Sequence, residues 1–381
     1  MRDTIVIGMS GGVDSAVAAS ILVENGYNVE AVFMKNWDEK DQEFCTAAED
    51  YKDALQVCEI LNIPLRSVDL TDQYWEKVFK VFLNECEKGR TPNPDILCNK
   101  EIKFRAFLDY ALELGATKIA TGHYAQIKTT DNNFQLLRGK DSNKDQSYFL
   151  YRLDQSQVSK SVFPIGTLDK ERVREKANSL GFLNHNKKDS TGICFIGERN
   201  FRKFLKKYFD EQPGEIISDK GTVIGEHEGL MYYTYGQRQG LGIGGGHGTI
   251  DAPWYVSDKI IQENRLVAVQ GHDHPDLYHS YLTATNINWI SGSSPGENDI
   301  ITSKIRYRSK DSGCKIKKQS DSILVEFDSP QFAVAPGQSI VFYHNDVCIG
   351  GGIIENRSNK PSHKKRIFSC FWNKNTFIKL K

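Results

Sequence analysis

A run of β-branched and apolar residues, Thr4-Ile5-Val6-Ile7, ends in Gly8-Met9-Ser10-Gly11-Gly12-Val13-Asp14-Ser15 and gives way to an alanine-rich stretch of helical character from Ala16 to Leu22. No other feature restricts the fold as much. A strand, a glycine-rich turn and a helix in immediate succession form the first half of a βαβ unit, which commits a chain to a parallel sheet with helices on its faces. The turn exposes backbone N–H groups at the positive end of a helix, a geometry that binds phosphate oxygens without a lysine. Glycines alone fit equally well an ordinary βα turn, where they only relax the dihedrals. The hydroxyls of Ser10 and Ser15 bracket this turn, and Asp14 offers a carboxylate where a magnesium–phosphate group would sit. A nucleotide is therefore expected.

Two other phosphate-binding patterns are excluded. The lysine and hydroxyl that close G-x-x-x-x-G-K-[ST] are replaced by Val13 and Asp14, and G-x-G-x-x-G is not present at this turn. The stretch resembles the S-G-G-x-D-S loop of the ATP pyrophosphatases, which split ATP into AMP and pyrophosphate. That loop names a chemistry and leaves the substrate open.

A length of 381 residues suggests two or three domains. Apolar content of 39% and charged content of 26% describe a globular chain with a core, not a disordered one. The first strand begins almost at once, leaving no room for a leader, and no segment approaches the ~18 apolar residues of a membrane span. A cytoplasmic protein without a membrane partner is expected. The formal charge of zero hides an asymmetry: residues 301–381 hold 15 Lys and Arg against 6 Asp and Glu. A basic C-terminal part suits an RNA or another polyanion, and also a merely solvated surface.

Eight cysteines, at 45, 58, 86, 98, 194, 314, 348 and 370, include no C-x-x-C pair. This argues against a disulfide framework and against zinc or iron–sulfur ligation, so no metal ligands are assigned. Cys58 falls on the apolar stripe of a helix expected over 46–61, with Tyr51, Ala54, Leu55 and Leu61. Strands are expected at 29–34, 65–70 and 117–127, and helices at 74–86 and 104–114. In the resulting sheet, ligands sit at the carboxyl ends of the strands, where the glycine-rich loop lies and where Met34 and Gly122 are expected.

Two cysteines stand in unusual surroundings. In residues 89–100, Pro92 and Pro94 forbid a regular helix, so a shaped loop carries Asp95, Cys98, Asn99 and Lys100. A nearby cation lowers a thiol pKa, which makes thiolate chemistry at Cys98 possible. Cys194 lies in Lys187-Lys188-Asp189-Ser190-Thr191-Gly192-Ile193-Cys194-Phe195-Ile196-Gly197, between glycines and downstream of two lysines; a buried strand cysteine is the alternative. The stretch from Arg199 to Tyr208 has one apolar face and one basic face, suited to an RNA backbone or to solvent. After Pro213-Gly214 the chain turns to short β pieces and glycines, with aromatic and basic residues mixed. His272-Asp273-His274 lacks a third metal ligand nearby. Alternating runs at 281–285, 303–307, 323–327, 339–343 and 348–355 suggest a small antiparallel barrel. Arg306-Tyr307-Arg308 puts an aromatic between two cations, able to stack on a base and hold phosphate.

An ATP-cleaving loop, two separated cysteines and basic surfaces together point to sulfur transfer onto RNA. A uracil C2 oxygen leaves poorly until adenylation turns it into departing AMP; a cysteine persulfide is then a soft nucleophile for that carbon. Ordered motifs strengthen this reading: Gly8 to Ser15, Thr91-Pro92-Asn93-Pro94-Asp95 with Cys98-Asn99, Thr121-Gly122-His123-Tyr124, Lys144-Asp145-Gln146-Ser147-Tyr148, Ser190 to Gly197, Gly236-Gln237-Arg238, Arg306-Tyr307 and Pro336-Gly337-Gln338. On these the chain, to about Glu355, resembles the bacterial-type tRNA-specific 2-thiouridylases.

The resemblance implies an α/β fold: a doubly wound parallel sheet of the adenine-nucleotide α-hydrolase kind over 1–211, a small β-rich tRNA-contacting domain over 212–276, and an antiparallel β-barrel with a basic tail over 277–381. It implies that Gly8, Met9, Ser10, Gly11, Gly12, Val13, Asp14, Ser15, Met34 and Gly122 bind ATP with Mg2+, Met34 lying near the adenine. Asn93, Pro94 and Asp95 would meet the target base, with Asp95 an acid–base group. Cys194 would carry the persulfide, and Cys98 would be the nucleophile that closes a transient disulfide with it. His123, Lys144, Asp145, Gln146, Arg306, Tyr307 and Gln338 would contact tRNA. The implied substrates are the wobble uridines of tRNAs for lysine, glutamate and glutamine, with sulfur delivered by a desulfurase or relay protein. Tyr235 departs from the aliphatic residue usual before Gly236, and the extension after Glu355, with Lys364-Lys365-Arg366, runs past the usual end. Two alternatives are another ATP-pyrophosphatase ligase or synthetase, which needs neither cysteine, and a non-catalytic tRNA-binding protein that retains the ATP fold.

Overall fold

The computed structural model describes residues 3–37, 47–130, 133–189, 192, 194, 201–243, 251–296 and 299–361. The tail residues Lys364-Lys365-Arg366 and Phe371-Trp372, Arg199 and most of the Ser190–Gly197 motif lie outside them, although Gly192 and Cys194 are described.

The opening strand β1 (Thr4–Met9) is buried on both faces, as the centre of a parallel sheet requires. It pairs in parallel with β2 (Asn28–Lys35) and β4 (Lys118–Ala120); β3 (Leu65–Asp69) and a short β7 (Ser161–Val162) complete the order β3-β2-β1-β4-β7. The first helix, α1 (Val13–Glu24), is apolar nearly all round and lies between the sheet and a second helix layer. Its end is shaped by Gly26 at φ +78°, with the Tyr27 N–H closing onto the Leu22 carbonyl at 3.2 Å. Helices α2 (Ala47–Leu61), α3 (71–87), α4 (94–113) and α5 (Lys170–Ser179) follow.

Two expectations need correction. Residues 117–127 do not form one strand. Between β4 and β5 (Ala125–Thr129) the chain breaks at Thr121–Tyr124, and β5 pairs with β6 (Phe134–Arg138) in a different sheet. Nor is 89–100 a loop throughout. Pro94 begins α4 at its first position, where a missing N–H costs nothing and a fixed φ helps. The Asn93 side chain caps that helix, accepting from the Asp95 N–H at 3.1 Å.

Beyond the parallel sheet, β8 (Gly214–Ser218), β9 (Val223–His227), β10 (Trp254–Ile260) and β11 (Arg265–Gln270) form a four-stranded sheet of order β10-β11-β8-β9. A six-stranded antiparallel barrel follows, from β12 (Tyr278–Trp289), β13 (Ile301–Lys304), β14 (Ser312–Lys318), β15 (Ile323–Phe332), β16 (Ser339–His344) and β17 (Val347–Ser358). Pairing of β12 with β17 closes it. Of these strands β14 had no expectation from the sequence, because its lysines hide the alternation. The β5–β6 hairpin docks on the start of β17, Leu137 opposite Val347 and Leu136 opposite Cys348. Among the described residues no helix is long and apolar enough to cross a membrane.

Candidate active site

The order of strands reverses on either side of β1, and the loops after β1 and β4 meet at that switch point. The glycine-rich turn is held in shape by its own hydroxyls. Ser15 Oγ accepts from the Ser10 N–H at 3.2 Å and donates to the Gly12 carbonyl at 3.0 Å; Ser10 Oγ lies 3.2 Å from Ser15 Oγ. Gly12 caps α1 with no side-chain hydrogen bond, so no side chain competes for the first helical N–H groups. Gly11, at φ +74°, is irreplaceable on two counts: the conformation, and a Cβ that would lie 2.3 Å from the Asp50 carbonyl oxygen. A Cβ on Gly122 would meet the Ser15 nitrogen at 2.6 Å, so this glycine lets the loop after β4 press against the start of α1. Met9 and Val13 point into the core and offer only backbone. Met34 is buried beside Gly8, whose added Cβ would meet the Met34 methyl at 3.0 Å and Phe107 of α4 at 3.4 Å.

Asp14 is the loop's one carboxylate. Lys170 Nζ, at the start of α5, reaches its two oxygens at 2.7 and 2.9 Å, and the Tyr124 hydroxyl donates to it at 2.7 Å. Lys170 also bonds Asp189 Oδ1 at 2.6 Å, and Lys144 bonds Asp189 Oδ2 at 2.6 Å, with Arg174 at 3.1 Å. Burial works against the Asp189 charge, but these partners outweigh it and hold the carboxyl below its ordinary range. The phosphate loop and the segment leading to Cys194 are thus joined through one lysine.

The two cysteines come together. Cys98, fully buried on α4, is hydrogen-bonded through its side chain to Cys194, and both cysteines are free of disulfides. Asp95 Oδ1 accepts from the Cys194 N–H at 2.9 Å, and the Tyr74 hydroxyl of α3 donates to the Cys194 carbonyl at 2.7 Å. The backbone of Cys194 is therefore gripped on both sides. The thiols differ in character. Burial pushes Cys98 well up, with the hydrogen bond to Cys194 adding to it. Cys194 is lowered, first by that same hydrogen bond and then by Lys103, against burial. Burial raises the Asp95 carboxyl, against the Cys194 amide and Lys103. Neither Tyr74 nor Lys103 stood out in the sequence.

Residues just before α4 are tied to the rest of the molecule. Lys259 of β10 donates to the Gly89 carbonyl at 2.9 Å; Arg90 bonds Glu355 at 2.8 Å and the Ile354 carbonyl at 3.1 Å. The Thr91 N–H meets the Pro336 carbonyl at 2.9 Å, and Gln338 Nε2 the Thr91 carbonyl at 2.7 Å. Middle sheet and barrel both fix where Asn93, Pro94 and Asp95 stand.

The residues expected at RNA divide into two groups. His123 is buried between Phe104 and Phe163, 2.7 Å from Thr121 Oγ1, and burial keeps its imidazole neutral. Asp145, 4% exposed, accepts from the Gly139 and Ser147 N–H groups at 3.0 Å each. Both are bonded within the fold and keep little surface. Lys144, Gln146, Arg306, Tyr307 and Gln338 keep part of their surface. Gln146 Oε1 accepts from the Tyr124 N–H at 2.9 Å, Arg306 bonds the carbonyls of Tyr235 and Ala333 at 2.9 and 2.8 Å, and Tyr307 packs on Phe149 at 4.5 Å. Arg306 and Tyr307 follow β13 in a turn and are not strand residues. Next to them a cavity of about 630 Å³ is lined by Arg308, Lys310, Ser312 and Gln331. The basic helical face after Arg199 is partly neutralised, Lys206 bonding Glu211 at 2.6 Å and Glu228 at 3.0 Å.

Comparison with known proteins gives three family matches: a tRNA methyl transferase HUP domain over residues 3–198, a tRNA methyl transferase PRC-barrel domain over 202–270, and an aminomethyltransferase beta-barrel domain over 279–354. The chain is 56% identical over 355 residues to the tRNA-specific 2-thiouridylase MnmA of Nitrosomonas eutropha, covering 93% of this chain and 98% of that one. It is 54% identical over 361 residues to the protein of the same name from Hydrogenovibrio crunogenus, covering 94% and 95%. A solved structure of the U34-tRNA thiolase NcsA from Methanococcus maripaludis with its [4Fe-4S] cluster matches at 17% identity over 54% of this chain and 63% of that one; its TM-score of 0.35 is too low to bear on function.

Proposed function

Because the chain belongs to the tRNA-specific 2-thiouridylase family, we propose that it is an ATP-dependent sulfurtransferase that converts the wobble uridine of tRNAs for lysine, glutamate and glutamine to 2-thiouridine. The observation that carries the reading is the pair Cys98–Cys194, brought together beside Asp95, whose carboxylate accepts from the Cys194 N–H, at the start of a helix whose Phe107 lies on the strand before the glycine-rich loop. Matched domain descriptions speak of methyl transfer, but methyl transfer needs neither a pyrophosphatase loop nor a thiol pair.

The α1 N-terminus and Gly11 and Gly12 would take the ATP phosphates, with Met34 and Gly8 at the adenine. Asp14 fits one carboxylate ligand of a Mg2+ whose other ligands come from phosphates and water, a common Mg2+ arrangement; that ion would neutralise phosphate charge. The uracil C2 oxygen attacks the α-phosphorus, and pyrophosphate leaves. The outer sulfur of a Cys194 persulfide then attacks C2, and the C–O bond breaks to release AMP. Cys98, its proton passed to Asp95, attacks Cys194 Sγ; the S–S bond to the transferred sulfur breaks, leaving a thiocarbonyl on the base and a Cys98–Cys194 disulfide. An external dithiol returns both cysteines to thiols. Asn93, through its cap on α4, and Pro94 set the base beside Asp95. Lys144, Gln146, Arg306, Tyr307 and Gln338 form the RNA-facing set. Three units, 1–211, 212–276 and 277–381, fit this division of labour.

The test is direct. Protein, ATP, a persulfide donor and unmodified lysine tRNA are incubated, and the nucleosides are analysed by mass spectrometry. Appearance of 2-thiouridine, lost in Cys194→Ser, supports the reading; a folded protein that makes none with a competent donor overturns it. A ligase would keep its activity in Cys194→Ser.

A further inference from the structure

Helix α4 is not α-helical throughout: Asn99–Ala106 is π-helical. In an α-helix the fifth residue onward lies roughly 140° around the axis from the first. A π turn closes i to i+5 and brings that residue back toward the same face, and such insertions recur at functional sites. Lys103 is the fifth residue after Cys98. It is within electrostatic reach of Cys98, Cys194 and Asp95, and its side chain is hydrogen-bonded to Cys194. The side chain sits deep and keeps only part of its surface. A lysine is costly at such a depth unless anions or acceptors meet it.

Resting on the sulfur-transfer reading, we infer that Lys103 is a further catalytic residue, a fixed counter-ion brought to the thiol pair by the π-helical segment, where its charge meets negative charge developing on the Cys194 sulfur. Lys103 remains protonated throughout and supplies charge, not a proton. The groups around Cys194 make the assignment specific. Tyr74 of α3 and Asp95 hold its backbone; His123, from the loop after β4, is buried within electrostatic reach of Lys103; Cys98 is hydrogen-bonded to it through the side chain. Among these described residues Lys103 is the cation. Burial alone would depress its ammonium, yet Cys194, Cys98 and Asp95 together hold it above the ordinary value. The same charge that favours a Cys194 thiolate would favour the anion of its persulfide, the form that attacks carbon.

The experiment reads the Cys194 sulfur without tRNA. Full-length protein is treated with iodoacetamide across a range of pH, and alkylation of Cys194 is followed by site-resolved mass spectrometry in the wild type, Lys103→Met, Lys103→Gln and Lys103→Arg. Wild-type reactivity should inflect below the range of a free thiol. In Lys103→Met the inflection should move up by at least about one pH unit, a tenfold loss of rate at neutral pH, and Lys103→Arg should restore most of it. If Lys103→Met does not fold, as judged by circular dichroism, Lys103→Gln takes its place. An unchanged inflection in whichever neutral variant folds overturns the assignment. A wild type that makes no 2-thiouridine yet shows the Lys103-dependent inflection would sink the functional reading and leave the counter-ion standing; a thiolating enzyme with a Lys103-independent inflection would do the reverse.

Discussion

Replacing Lys259 with methionine asks how firmly the middle sheet holds the entrance to α4. Lys259 is 6% exposed, donates to the Gly89 carbonyl at 2.9 Å and lies 5.3 Å above the Tyr235 ring. Burial, with Arg357 adding to it, lowers its ammonium from 10.5 to about 8. Between about pH 8 and about pH 10.5 the unfolded chain holds a proton that the folded chain has lost, so stability rises with pH there; below about pH 8 both hold it and the whole cost of about 3 kcal/mol is felt. Methionine removes the titration. It also strands the Gly89 carbonyl, which costs about 1–3 kcal/mol at every pH. Absolute stabilities at neutral pH should therefore differ little. The slope should not. From about pH 7 to about pH 9.5 the wild type should gain about 2 kcal/mol over Lys259→Met. Urea unfolding at the two pH values measures this as a difference of differences. The buried thiols Cys58 and Cys314, pushed up to about 11, bend both curves alike and cancel. Parallel curves for the two proteins would show that Lys259 is not strained by burial.

Other perturbations reach the site itself. Gly122→Ala should weaken ATP binding more than tenfold by calorimetry, because the new methyl meets the start of α1 at 2.6 Å; unchanged affinity would contradict the placement of the ATP loop. Asp189→Asn leaves Lys144, Lys170 and Arg174 around a neutral amide. It should cost about 2 kcal/mol in thermal unfolding, a discount on a fully buried pair because the site is part-exposed. Cys98→Ser should stall with tRNA joined to Cys194 through a disulfide, visible as a band shift on denaturing gels. An added dithiol should release 2-thiouridine from it; absence of the band with full activity would dismiss Cys98 as resolving nucleophile.

The glycine-rich loop was legible because a strand, two glycines and a helix must be neighbours in sequence to work at all. The opposite holds for the cysteine pair. Cys98 and Cys194 are 96 positions apart, and only motif resemblance, not spacing, put them together. Lys103 was hidden because Cys98 is expected in a shaped loop over 89–100 and the next helix over 104–114, which leaves Lys103 between them, whereas one continuous helix with a π-helical segment carries both. Tyr74 is only the first residue of the helix expected over 74–86, with nothing in its spacing to tie it to Cys194. Pro94 was misread because proline stops a helix from within but starts one at its first turn. For His123 the sequence could not reveal burial, which comes from Phe104 and Phe163 on separate segments.

The β5–β6 hairpin and the turns after it bear on how the molecule can be cut. By chain order residues 125–155 belong with the parallel-sheet part, yet they are bonded to the barrel. Tyr148 donates to the Ser339 carbonyl, Tyr151 meets the Ser339 hydroxyl, Asn288 reaches the carbonyls of Tyr151 and Leu153, and Gln155 reaches that of Ile290. A fragment ending near residue 211 would lay bare Leu136, Tyr148 and Tyr151, all buried in the whole chain, together with the outer edge of β6. Exposed apolar side chains beside an unpaired strand are a recipe for self-association. Expression of the parallel-sheet part alone should yield aggregates, and the barrel, supplied as a separate chain, is the piece that would keep it in solution.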